Sequence, residues 1–533
     1  LWRVALKDPD GREVEFDETQ CAIAVASIPE QTDDEVLLTL GWALRPVAGG
    51  RPLSASAYVR CLRGSSISHW SIMTQLPDPG WKVVRTEFPL LPDIATPPGT
   101  RMAVPAGWGL EYALKAGDVY EATYPSCSAV MQFVAFYRDG TGLYIGAHDP
   151  QANHKHFSIS AKEEQVSFSL TEWHGPPTAG VDFGDEDTTQ ATEVDERLHY
   201  EMAVGVFRGD YVQAARIYRD FALETQWGKA KPLNERPIPQ WVRDTDLWLR
   251  PDGSPEANVD ATLKALRYFG ADHTSCHWYR WHVIPYDTKY PEYFPALPGF
   301  AEGIRALQNA GTHVMPYING RLWDPATGSW RERHADASAV RTETGSFHSE
   351  VYPTSHVPMN VMCPATPLWR SMVADLVERL VTELGVDGVY IDQIGCAYAL
   401  RCYGEGHEHV PGGGHFWHDG YRRMLEEVRR RLPEGRMITT EENIECWIDQ
   451  FDALLVVNTP TDERVPIPLF PAVYSDRAIT FGFQYLPEDD LRRGLPFRLK
   501  MARAFCFGAQ LGWVQPARIM APEASLEADF LRR

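Results

Sequence analysis

Up to about residue 200 the chain alternates apolar and polar positions in short segments broken by Gly, Pro and Asp: "SASAYVRCLR", "WKVVRTEFPLL", "SAVMQFVAFY", "GLYIGAHD" and "QVSFSLTEW". A period of two over such lengths is that of half-buried strands, so an antiparallel β-sandwich is expected here. The period then changes. "DYVQAARIYRDFALE" places Tyr211, Ala214, Ala215, Tyr218 and Phe221 on one helical face, and "GKAKPLNERPIPQW" follows with the Pro-rich, polar composition of a connector. The expected division is a sandwich domain with a terminal helix over 1–227, a linker over 228–240 and a second domain over 241–533.

In the second domain strand-like and helix-like segments take turns. "DTDLWLR" reads as a strand, followed by a helix carrying Val259, Leu263, Leu266 and Phe269; "DHTSCHWYRWH" is the next strand, followed by a helix with Ile304 and Leu307 that ends at Gly311. "THVMPYINGRLW" is a third. Thr366 as N-cap and Pro367 at the first helical position open a long amphipathic helix that leads to "GVYIDQIG", the fourth strand. A helix with Tyr421, Leu425, Val428 and Leu432 leads into "RMITTEEN", the fifth. "DALLVVN" is expected as a sixth, the region around "PAVYSD" as a seventh and "QLGWVQP" as an eighth. Repeated βα units of this number predict a (β/α)8 TIM barrel preceded by the N-terminal sandwich. After "EASLEADFLRR" no further domain is legible, and the expectation is a barrel cut short of a C-terminal β domain.

Composition narrows the partners. The net charge of -21, with no local basic stripe, argues against nucleic acid, and no run approaches the roughly 20 apolar residues of a membrane span. Aromatics reach 11%, with 17 tryptophans, many beside polar or histidine residues, which suits flat, hydroxyl-rich ligands such as sugars. Nine scattered cysteines include no CxxC pair; Cys396 and Cys402 alone lie close enough in sequence to suggest a local bridge. The chain starts at Leu1 without a basic-then-apolar leader, so a cytoplasmic origin and a secreted one with its leader removed both stay open.

In a parallel barrel the reactive groups sit where strands end at the carboxyl face. Asp392 ends the fourth strand, and Glu441 and Glu442 end the fifth. Acidic residues at strand ends are often only turn formers. Two of them on consecutive strands are also what glycosidic cleavage needs, one at the anomeric carbon and one to protonate the departing oxygen. Alternation sends one of Glu441 and Glu442 inward and the other away. Glu441 directly terminates "ITT" and is taken as the acid/base, with Glu442 and Glu445 as hydrogen-bonding neighbours. A sugar pocket would draw on Asp246 and Trp248 from strand one, His277, Trp278, Tyr279, Trp281 and His282 from strand two, and Tyr317, Asn319 and Arg321 from strand three, about half of each set facing inward. Between strands four and five, "CYGEGHEHVPGGGHFWHDGY" carries His407, His409, His415 and His418. With no cysteine pair or second carboxylate at the usual separations, substrate contact is preferred there to a metal. No metal and no cofactor are expected.

With these residues in hand the chain resembles a family of bacterial two-domain proteins related to glycoside hydrolases, on the strength of "MCPATPLWR", "GVDGVYIDQIG", "GHEHVPGGG" and "TTEENIECWID". "DGTGLYIGAHDP" is similar to a sandwich segment of barrel glycosidases such as the endo-α-N-acetylgalactosaminidases. The resemblance implies a retaining enzyme on α-linked sugars, with a nucleophile at Asp392 and an acid/base at Glu441. Many α-galactosidase-type relatives carry a basic residue two positions before the nucleophile; here that position is Tyr390, counted among the substrate contacts. The competing readings are a non-catalytic carbohydrate-binding or scaffold protein on the same barrel and, more remotely, a lyase or transferase.

Overall fold

The computed structural model describes residues 1–533 except 45–52, 77–79, 175–194, 199, 458–463 and 483–494. Two antiparallel sheets occupy the N-terminal half. One has the spatial order 119–124, 155–162, 165–173, 82–95, 3–7, 13–17. In Gln165–Trp173, Val166, Phe168 and Leu170 are buried while Ser167 and Ser169 are half-exposed, the alternation of a strand with one covered face. Its register sets Phe168 opposite Ile159 and Leu170 opposite Phe157, so the apolar sets coincide. The second sheet has eleven strands among the described residues and reaches into the C-terminal half: Val465–Pro466 pairs with Leu110 and Glu111. A helix, Tyr211–Ala222, begins at Asp210, whose side chain accepts a hydrogen bond from the Val212 amide.

The C-terminal half builds an eight-stranded parallel sheet that all but closes on itself. In chain order its strands are Leu247–Leu249, Thr274–Trp278, Val314–Asn319, Gly388–Asp392, Met437–Glu441, Ala453–Leu455, Thr480–Phe481 and Leu511–Val514. Each of the first seven pairs with its predecessor or successor, the eighth pairs with the first, and a single bridge between Phe481 and Gln510 joins the seventh to the eighth. Helices Pro255–Phe269, Phe300–Asn309, Pro367–Leu384 and Phe416–Arg431 connect or flank the first five strands. Strand four is buried along its whole length, which explains its unbroken apolar run: both faces are covered.

The expectation for the seventh strand is corrected. "PAVYSD" lies at a helix, Leu469–Tyr474, whose buried Leu469, Phe470, Val473 and Tyr474 recur at helical spacing, and Pro471 sits in the first turn where its missing N–H costs nothing. The strand is Thr480–Phe481, too short for alternation to show. Between strand three and helix Pro367–Leu384 a small three-stranded sheet is inserted, Leu322–Trp323, Ser349–Val351 and Pro358–Val361.

Residues 228–240 run bound to the barrel. Arg236 donates to the carbonyls of Arg477, Asp449 and Phe451 at 3.0, 3.1 and 2.7 Å. Deeper in the contact between the two halves lies Glu445, fully buried. It accepts hydrogen bonds from Tyr124 (3.0 Å), Gln132 (3.2 Å) and Tyr218 (2.7 Å) of the N-terminal half and from Tyr474 (2.7 Å) of the barrel half. Burial raises its carboxyl to about 7, against the pull of those donors.

Candidate active site

Asp392 is the last residue of strand four, and its side chain points into the barrel, as the i, i+2 partner of Tyr390. Tyr390 donates to Oδ1 at 2.9 Å and Tyr317, on strand three, donates to Oδ2 at 3.0 Å. The register pairs Asn319 with Asp392 and Tyr317 with Tyr390, so the two hydroxyls converge from neighbouring strands. Burial and the nearby Asp392 charge keep both phenols protonated far above their usual range, so they act as donors. Asp392 itself is only 8% exposed. Its carboxyl is pushed well above the usual carboxylate range, first by burial and then by the charge of Glu441, whose side chain is within hydrogen-bonding reach; the tyrosine hydroxyls oppose the shift.

Glu441 ends strand five and is half-buried. The chain turns sharply after each of these two acids: Gln393 and Glu442 both adopt left-handed backbone, with φ of 67° and 66°, a conformation that costs a non-glycine residue about 1–3 kcal/mol. The turn aims Glu442 away from Asp392. Its Oε1 accepts the Val457 amide at 2.8 Å, beyond strand six, and the residue is fully buried. Gly395 lets the loop after strand four close over strand five: a Cβ there would stand 2.5 Å from the Glu441 carbonyl, and its amide reaches Thr440 Oγ1 at 3.3 Å. The N-terminal half walls this end, where the Cys127 amide donates to the Cys396 carbonyl at 3.0 Å and Asn443 Nδ2 to the Gly107 carbonyl at 2.9 Å.

Around the acids the barrel is lined with aromatic rings. Tyr279 lies 4.9 Å from Tyr317, and His277 lies 4.3 Å from Tyr390 while accepting at Nδ1 from Trp513 Nε1 at 3.0 Å. Burial pushes His277 far below its usual range, so the imidazole is neutral. Period two explains the division of strand two: His277 and Tyr279 face in, and Trp278 faces out, its ring against Phe300 and its Nε1 on the Gly253 carbonyl at 3.0 Å.

The remaining expected contacts fall elsewhere. Trp248 and Trp281 are fully buried core rings, donating to Gln510 Oε1 (2.8 Å) and to the Tyr317 carbonyl (2.7 Å). His282 is buried, bonded to the Ile284 carbonyl at 2.8 Å and lowered to about 4 by burial. Asn319 caps the turn after strand three by accepting from the Arg321 and Leu322 amides at 2.8 and 2.9 Å. Arg321 pairs with Glu350 of the inserted sheet, behind Tyr352, whose hydroxyl donates to Glu350 at 2.7 Å and accepts from Gln393 at 2.6 Å. Asp246 precedes strand one, at the opposite end of the barrel from Asp392, with its side chain 80% exposed and 3.3 Å from His273. His415 bonds Asp419 at 2.8 Å, and His418 bonds the same residue at 3.1 Å, at the start of helix Phe416–Arg431.

His407 and His409 meet Cys363 and Cys402, so the premise that no cysteine pair stands beside the loop histidines holds along the chain and not in space. The suggested local bridge is not formed either: all nine cysteines are free, and Cys402 faces Cys363 rather than Cys396. Residues that sequence reasoning missed are Tyr286, Asp287 and Tyr290 of the loop after strand two. Tyr286 lies 5.3 Å from Tyr317, and Asp287 is raised by burial while accepting from Thr354 Oγ1 at 2.6 Å. The aromatic-rich "PYDTKYPEY" is the signal that could have found them.

A surface cavity of about 750 Å³ opens in the antiparallel half beside Phe136, Tyr137 and Phe207. Convergent chemistry, not size, singles out the barrel end.

Among the described residues no helix is long and apolar enough to cross a membrane. Over 508 residues the chain is 36% identical to a Bacteroides thetaiotaomicron protein named "Putative glycoside hydrolase", covering 94% of this chain and 72% of that one. A Monosiga brevicollis protein named in the same way is 30% identical over 450 residues, 77% of this chain and 36% of its own length. Among solved structures, the α-N-acetylgalactosaminidase NagBb from Bifidobacterium bifidum, in complex with GalNAc, superposes with a TM-score of 0.71 at 15% identity, over 100% of this chain and 87% of that one. A variant of the GH36 α-galactosidase AgaA from Geobacillus stearothermophilus superposes at 0.55 and 9% identity, over 99% and 74%. At such identities the likeness is one of fold. Residues 197–485, more than half of the chain, match a family profile, and with it this chain belongs to the family of the domain of unknown function DUF6259.

Proposed function

We propose that this chain is a retaining glycoside hydrolase of α-linked glycosides, with Asp392 as nucleophile and Glu441 as general acid/base on a (β/α)8 barrel. The observation that carries the reading is the meeting of the two carboxyl groups from adjacent strand ends, one of them held by two tyrosine hydroxyls. Carboxyls this close do not both ionise cheaply, so the pair keeps one proton to higher pH than either would alone. The hydroxyls oppose the upward push of burial on Asp392, and the mechanism requires the shared proton to sit on Glu441 when Asp392 attacks. A retaining pair lies about 5–5.5 Å apart, and an inverting pair needs roughly 6.5–9.5 Å for a water; direct interaction favours the shorter class. The α-linkage rests on the structural neighbours, both named for α-glycosidases.

In the first step an Asp392 oxygen bonds to the anomeric carbon as the glycosidic C–O bond breaks, and Glu441 passes its proton to the departing oxygen. In the second a water gives a proton to Glu441 and attacks the same carbon, and the ester to Asp392 breaks. Tyr317 and Tyr390 orient the nucleophile, and Tyr279 and Tyr286 offer ring faces to the sugar.

Replacement of each acid, with azide added, tests the roles. On an activated aryl α-glycoside that the parent cleaves, Asp392→Gly with azide should yield the β-glycosyl azide and Glu441→Ala the α-glycosyl azide. Neither azide forming would remove the two-acid assignment. A parent that binds glycans in calorimetry and cleaves none of a broad panel would favour the non-catalytic reading.

A further inference from the structure

We infer that Cys363, Cys402, His407 and His409 form a zinc site that ties the loop after strand four to the barrel wall. The inference does not rest on the glycosidase reading.

One donor atom from each of the four residues lies within 4.8 Å of all the others, with both cysteines buried and both histidines half-buried. Tetrahedral zinc with Zn–S of about 2.3 Å and Zn–N of about 2.0–2.1 Å requires S···N edges of roughly 3.5 Å. Cys402 Sγ stands 3.3 Å from His407 Nδ1. The nitrogens turned away from the cluster are each engaged by a backbone carbonyl. His407 Nε2 donates to Ala337 at 3.0 Å, and His409 Nδ1 donates to Val410 at 2.7 Å. Each imidazole is thereby fixed in the tautomer that leaves a lone pair facing the thiols, the outer-shell arrangement of metal-bound histidines. His409 Nε2 is buried with no hydrogen-bond partner in the protein, as a ligand atom awaiting a cation would be.

The donor set selects the ion. Two thiolates and two imidazoles suit zinc, and no carboxylate belongs to the cluster, which disfavours calcium and magnesium. Binding releases the two thiol protons, and the dication with two thiolates is neutral overall, as a largely buried site prefers. Three chain segments meet there. Cys363 precedes helix Pro367–Leu384, and its amide donates to the Ser338 carbonyl at 2.9 Å. Cys402 and Gly412 exchange backbone hydrogen bonds of 2.9 and 2.7 Å, closing a small hairpin that holds both histidines. The same loop starts at Gln393, directly after Asp392. Zinc at this point would set the path of the chain that leaves the candidate active site.

Zinc content of the full chain decides the matter, with the protein purified untagged, incubated with equimolar zinc chloride and desalted. About one zinc per chain is expected, falling below about a tenth in Cys402→Ser and in His409→Gln. Chelation with phenanthroline should lower the Tm of the parent by several degrees, and added zinc should restore it. Should the variants fail to fold by circular dichroism, release of zinc from the parent in step with titration of two thiols by p-mercuribenzoate carries the test. Less than about a tenth of a zinc per chain in the parent, another metal at full occupancy, zinc retained by the folded variants, or a Cys363–Cys402 disulfide in a non-reducing peptide map would each overturn the inference.

Discussion

The hydroxyl of Tyr390 donates a 2.9 Å hydrogen bond to the carboxylate of Asp392, two residues further along the same strand. The proposed nucleophile is thus held by a neutral donor. The bond stabilises the ionised acid, so Tyr390→Phe should raise the pKa of Asp392 and move the acid limb of kcat/KM to higher pH. A charge-assisted bond of this kind is worth roughly a 10- to 100-fold loss in kcat/KM. An unmoved acid limb would show that Tyr390 only packs.

Glu441 and Glu442 separate by direction, and their substitutions should separate by leaving group. Glu441→Gln is expected to lose far more activity on unactivated α-glycosides than on aryl ones, which need little protonation. Glu442→Ala leaves the Val457 amide without its acceptor and should cost about 1–3 kcal/mol of stability, with the parent's leaving-group dependence. Equal losses on both substrate types for Glu441→Gln would place the acid/base elsewhere.

Glu445 makes stability depend on pH. Its folded-state pKa of about 7 lies above its ordinary 4.5, so the folded protein holds a proton that the unfolded chain has released. This group's contribution is therefore complete below pH 4.5 and is lost as pH rises through about 7, by about 3 kcal/mol. Glu445→Gln removes that slope. Its Tm relative to the parent should rise between pH 5 and pH 8, and a constant difference would contradict the raised pKa.

Three of the four donors to Glu445 belong to the N-terminal half. Residues 241–533 expressed alone would leave this buried acid with Tyr474, so we expect the fragment to be insoluble or to melt well below the whole chain. A fragment with the Tm of the full chain would show that the boundary at 228–240 separates two independent folding units.

Strand ends that follow long apolar runs were legible in the sequence. "GVYID" and "MITTE" end at Asp392 and Glu441, which the fold sets side by side. Which residues of an aromatic run face inward needs the exact strand start, and so Trp278 and Trp281 could not be told from Tyr279 in advance. Asp246, expected among the sugar contacts of strand one, precedes a strand of only three residues, too short for the sequence to fix where it starts. The pairing of Cys363 with Cys402 spans a helix and a strand, and no local pattern announces it. The seventh strand hid for a related reason: two residues carry no period.

Double displacement at Asp392 fixes the anomeric configuration of the first-formed product. An α-glycoside that the parent cleaves is followed by proton NMR from the first minute, before mutarotation scrambles the anomers. Retention requires the α-anomer to appear first, with the β-anomer growing only later. The β-anomer appearing first would mean direct attack by water, demote Asp392 to general base and contradict the account.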